Sequence, residues 1–122
     1  MSVTYRFDSK IVVIELADKY SMEDIPVTIL HSLADSKCPG NPFILIDLSV
    51  SKSIFNRSTD DVIKMAHSLG SLAERFNRRI ALVAPEDFSY GLMRMGSAFS
   101  AMVGFEPEVF RTYADARKWL LS

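Results

Sequence analysis

"FILIDL", residues 43–48, is a continuous apolar run with one acid near its end. Such a run suits a central strand that is covered on both faces. "RIALVA", residues 79–84, reads the same way and is ended by Pro85. A polar loop, "SVSKSIFNR", and a helix lie between them. In that helix Val62, Met65, Ala66, Leu69, Leu72, Ala73 and Phe76 recur at i+3/i+4, a clear amphipathic stripe. Ser58 opens it, with Asp61 three residues on as a shortened capping box. Asp60 and Asp61 begin it and Arg75, Arg78 and Arg79 end it, as the helix dipole favours.

Toward the amino end, Val3 to Phe7 and Ile11 to Leu16 are β-rich runs separated by "DSK", which predicts a hairpin. Asp24 is a candidate N-cap, with Pro26 in the first turn where its missing N–H matters least. Ile25, Ile29, Leu30 and Leu33 then support a helix to about Asp35, and "SKCPGNP" ends it. Toward the carboxyl end, a helix is expected from about Asp87 to Val103, closed by Gly104. "EVFRTY" gives a short last strand, and Thr112 caps a terminal helix through Leu121. The expected fold is therefore α/β. A mixed sheet of about five strands starts with an N-terminal hairpin and continues as alternating helices and strands, with four helices packed on it. The 122 residues make one domain with its own core.

With 48% hydrophobic and 24% charged residues the chain is globular. A net charge of −1 leaves no basic footprint for nucleic acid. The lysines are scattered among acids, which argues against a polybasic membrane segment. Ile11 to Ile14 is too short for a signal segment or a membrane span, so no stable insertion is expected. The single cysteine, Cys38, cannot form an intrachain disulfide and fits a reducing cytoplasm. His31 and His67 are far apart and fall on the outer faces of their helices, so no metal is expected. Cys38 has no helix N-terminus close behind it to stabilise a thiolate. None of the common cofactor or catalytic motifs occurs, and the chain reads as a non-enzyme without cofactors.

Ligands of open α/β sheets bind beyond the carboxyl ends of the strands. That rule selects the loop after "FILIDL", with Ser49, Ser51, Phe55, Arg57 and Ser58, together with Tyr90 from the next βα connection. Serines and an arginine near a helix N-terminus can hold an anion, and Phe55 can contact an apolar ligand. An ordinary hydrophilic loop ending in a good cap has the same composition.

From Ser89 to Phe105 the expected third helix carries one charge, Arg94. Phe88, Leu92, Met95, Phe99, Met102 and Val103 share a sheet-facing stripe. The opposite face holds Tyr90, Met93, Ser97, Ser100 and Ala101, with Arg94 at its side. Tyr and Met favour protein contacts, and small residues allow close approach of another backbone. This face can serve self-association, line a ligand pocket, or be covered by the chain's own ends.

The element order and the sequence "RIALVAPEDFSYGLMRMGSAFSAM…VFRTYADARKWL" resemble the SpoIIAA-like family, small bacterial proteins grouped with STAS domains and distantly with CRAL-TRIO domains. The resemblance covers most of the chain. It implies a four-helix, mixed-sheet domain that works by binding. In the sporulation members a serine at the N-terminus of the helix after the central strand is phosphorylated and controls partner binding. This chain keeps "IDLS", residues 46–49, and has "IFNRST", residues 54–59, where the family carries a second Asp and Ser-Ser-Gly. Ser58 or Thr59 stands near the switch position. The expectation is a cytoplasmic, non-catalytic STAS-like module acting through protein contacts, as a homodimer through Tyr90, Met93, Arg94, Ser97 and Ala101. The alternative is a small carrier or sensor for a hydrophobic or amphiphilic ligand, with Phe55, Tyr90 and the 49–58 loop at its mouth.

Overall fold

Strands β1 (Val3–Asp8) and β2 (Ile11–Leu16) pair antiparallel, with Asp8 opposite Ile11 across a two-residue turn. Ser9 in that turn takes a φ of 56°, a left-handed value uncommon outside glycine and asparagine. These coordinates come from a computed structural model that describes residues 3–16, 20–21, 23–49, 59–87, 90–91, 94 and 106–122. Helix α1 (Asp24–Ala34) follows the hairpin, then β3 (Phe43–Asp47), α2 (Thr59–Gly70), a 3-10 turn (Ala73–Arg75), β4 (Arg79–Val83), β5 (Glu106–Phe110) and α3 (Tyr113–Leu120). The strands lie side by side in chain order, and β2, β3, β4 and β5 are mutually parallel. The expected mixed sheet of five strands is what forms.

Alternation along each strand divides the core in two. Val12, Ile14, Ile44, Ile46, Ile80 and Leu82 face one side and pack with Ile25 and Ile29 of α1 and Met65 and Leu69 of α2. Ile11, Val13, Leu45, Ala81 and Val83 face the other, where Ala116 and Leu120 of α3 cover them. Burial on both faces explains why "FILIDL" and "RIALVA" are apolar runs rather than alternating ones. Each such isoleucine or leucine contributes about 1.5–3 kcal/mol by leaving water.

Several boundaries differ from the sequence expectation. Asp24 is not the N-cap of α1; Glu23 holds that position without a side-chain cap bond, and Asp24 is the first helical residue, its carboxylate accepting from the Ser21 N–H at 3.3 Å. Within α1, Thr28 and Ser32 are buried with Ile25 and Ile29, whereas Leu30 is half-buried. The Ser32 hydroxyl is satisfied by donating to the Ile29 carbonyl at 2.6 Å. Helix α2 stops at Gly70, not in the arginine-rich stretch, because the chain tightens: the Leu72 N–H turns to Leu69 O and the Arg75 N–H to Leu72 O. Phe76 nevertheless reaches the core, so the apolar spacing runs on after the α-helix has ended. Strand β5 begins at Glu106 and ends before Arg111; Pro107 is tolerated because the strand is an edge.

Among the described residues there are three α-helices rather than four. Of the helix expected over about 87–103, Asp87, Tyr90, Gly91 and Arg94 are helical, and the remainder falls outside the described residues. Among the described residues, no helix is long and apolar enough to cross a membrane.

Candidate functional site: an arginine–tyrosine stack on the carboxyl rim

The parallel strands end on one rim. Backbone bonds prolong the ladder there, from the Leu48 N–H to Val83 O at 2.9 Å and from the Ala84 N–H to Phe110 O at 2.8 Å. These bonds bring three connections together: the residues after β3, the turn from Pro85 to Tyr90, and Arg111 directly after β5. The Asp47 carboxylate folds back to accept the Ser49 N–H at 2.9 Å, which is an Asx-type turn. Ser49 itself is exposed.

The centre of the rim is Tyr90. Its N–H donates to the Glu86 carbonyl at 2.9 Å, which sets the helical turn that carries the ring. The half-buried ring packs against the larger core. The Arg111 guanidinium lies 4.1 Å from the ring centroid. It is held there by donating to the Asp87 carboxylate at 2.6 Å and to the Pro85 carbonyl at 3.2 Å. Arg94, one turn after Tyr90, lies 5.9 Å from the same centroid and donates to the phenol oxygen at 3.5 Å. The Tyr90 hydroxyl, first of several causes, holds the pKa of Arg94 above its ordinary value, so that guanidinium is charged at any physiological pH. Arg94 and Arg111 are exposed, which limits each cation–π contact to about 0.5–1 kcal/mol. The Arg111–Asp87 pair is likewise exposed and contributes little to folding.

Of the residues singled out in the sequence, the structure unites Tyr90 and Arg94, and places Ser49 on the same rim beyond β3. Thr59 is the first residue of α2. Ser51, Phe55, Arg57, Ser58, Met93, Ser97 and Ala101 lie outside the described residues. Arg111 was missed. The rule that selects the loops after β3 and β4 also selects the residue after β5, but the run "EVFRTY" suggests a strand that continues through Tyr113. His31 and His67 are exposed. Cys38 is half-buried, and burial, with help from Asp35, pushes its thiol above the ordinary value, the reverse of what a nucleophile needs. Among the described residues, no group of three or more His, Cys, Asp or Glu is placed to hold a metal ion.

A second polar cluster lies at the opposite end of the sheet. The Asp8 carboxylate accepts from the Tyr113 hydroxyl and from Arg117 Nε at 2.9 Å, and the Arg6 guanidinium stands 5.3 Å from the Tyr113 centroid. These contacts fasten α3 to the hairpin. Comparison of the chain with protein-family models, curated proteins and solved structures gave no match.

Proposed function

We propose that the chain is a non-catalytic, STAS-like interaction module that acts through protein contacts and assembles as a homodimer through the face that begins at Tyr90. The observation that carries this reading is the Tyr90 ring, half-buried and flanked by the guanidiniums of Arg94 and Arg111. Tyrosine and arginine are the side chains that most often dominate binding energy at interfaces. A ring anchored to the core with two cations beside it is preorganised, so little entropy is lost when a partner closes on it. The sequence that follows, through Met93, Ser97 and Ala101, offers thioether and small side chains for the same contact.

Two rim carboxylates among the described residues are used for structure. Asp47 closes a turn and Asp87 holds Arg111. This supports binding over turnover. Within the same reading, a phosphate on Ser58 or Thr59 would sit at the start of α2, where the helix dipole favours an anion.

Light scattering at tens of micromolar tests the assembly. Wild-type protein is expected to be a dimer. Arg94→Glu, which reverses an exposed charge, and Ala101→Glu are expected to give monomers, while Glu74→Lys in the exposed 3-10 turn leaves the dimer intact. A wild-type monomer would overturn the proposal.

A further inference from the structure

The two edges of the sheet are built differently. Edge strand β5 carries Pro107 between Glu106 and Glu108, the kind of sequence that discourages another strand from pairing. Edge strand β1, "VTYRFD", has no proline, and four of its six residues are β-branched or aromatic. Its two charged side chains are paired, Arg6 with Glu15 at 3.3 Å and Asp8 with Arg117 at 2.9 Å.

Beside this edge, unpaired among the described residues, lies a groove of about 340 Å³, lined by Val3, Thr4 and Tyr5 of β1 and by Thr28 and His31 of α1. Val3 and Tyr5 share the face that α1 covers, and Thr4 between them carries the lining onto the strand itself, so the groove lies where α1 meets the edge strand. Thr28 is 2% exposed, and its hydroxyl has no hydrogen-bond partner. A buried hydroxyl left unpaired is costly, and natural proteins rarely leave one without a reason. Four of the five lining residues are uncharged, and the Tyr5 hydroxyl is committed to Asp35 at 2.8 Å.

We infer that β1 and this groove form a docking site for an extended peptide, which adds as a further strand and sends one uncharged side chain with a hydroxyl or amide tip toward Thr28. Main-chain pairing along β1 supplies affinity, and the groove supplies selectivity through alternate side chains, as in other strand-addition complexes. The mostly uncharged lining disfavours a charged side chain beside Thr28, because it would leave water with little to compensate it. The site is separate from the Tyr90 rim and does not depend on dimerisation there.

The probe is a phage-displayed library of random peptides, selected on the intact chain. The expected result is enrichment of β-forming peptides with Ser, Thr, Asn or Gln at one fixed position. Synthetic versions should shift the amide NMR signals of residues 3–8 and bind Thr28→Val roughly three- to tenfold more weakly, the effect of one hydrogen bond. Thr28→Val keeps the side-chain shape and removes an unpaired buried group, so it is expected to fold; its thermal unfolding verifies that. His31→Trp, at an exposed position on the groove wall, is a second variant and should also block binding. Failure to enrich any peptide overturns the inference. So do peptides that bind both variants as well as wild type, peptides that perturb the Tyr90 rim instead, and β1 signals that move with protein concentration alone, the mark of a second copy on this edge.

Discussion

Asp8 holds two distant parts of the chain together. Its carboxylate accepts from Tyr113 and Arg117, more than a hundred residues away. The Tyr113 hydroxyl, and then Arg117, hold the Asp8 pKa below its ordinary value of 3.8. A carboxylate with a depressed folded-state pKa contributes stability that is complete above the unfolded value and is lost as pH falls through the folded one. Replacing Asp8 by Asn should therefore cost about 1–2 kcal/mol at neutral pH, the lower part of the range for bonds to a charge, because Arg117 is half-exposed. Urea unfolding checks this: the gap between wild type and Asp8→Asn should shrink at about pH 3, below the unfolded value. A gap that stays constant would assign the effect to shape rather than charge. Nothing in the sequence points to this contact, because no local spacing links residues 8 and 113. Arg111 is a different case, since its place after a strand made it findable once the end of β5 was correctly read.

Elements were legible where period and packing agree. The hairpin, β3 and β4 fall close to their expected positions because apolar runs bounded by turns leave few alternatives. The end of α2 departs from the sequence pattern because Leu72 and Phe76 keep a helical spacing through the 3-10 turn, so the pattern carries no sign of the break. The start of β5 is hidden in the sequence because a proline argues against a strand unless that strand is an edge, and edge position is a property of the sheet. Helix α3 depends strongly on its surroundings: eight residues are too few for a stable helix in water. It is capped by the Thr112 hydroxyl, which accepts the Asp115 N–H at 3.2 Å, as the sequence suggested. It is also docked by Ala116 and Leu120, and by Arg79, which donates to the Trp119 carbonyl at 3.1 Å. Thr112→Ala should lower stability by about 1 kcal/mol. Leu120→Ala, which opens a cavity under a fully buried side chain, should cost about 2–5 kcal/mol. Thermal unfolding measures both, and equal small losses would contradict the view that packing, more than the cap, keeps α3 in place.

At the scale of the molecule, chain-ordered strands place helices on both faces, and among the described residues the carboxyl rim and the sheet edges stand exposed. The rim was visible in advance because it follows from parallel strands alone. The same rule points to Tyr90, and a helix with few charges points to Arg94. The groove beside β1 was not visible, since it depends on how α1 lies across the hairpin and on a threonine buried among isoleucines. Amide hydrogen exchange on the intact protein, recorded over a dilution series, tests the proposed assembly most directly. The account predicts extra protection at the rim, in peptides containing Tyr90, Arg94 and Arg111, at high concentration, lost together as the protein is diluted. Exchange at the rim that does not change with concentration, or protection that develops only along β1, would contradict it.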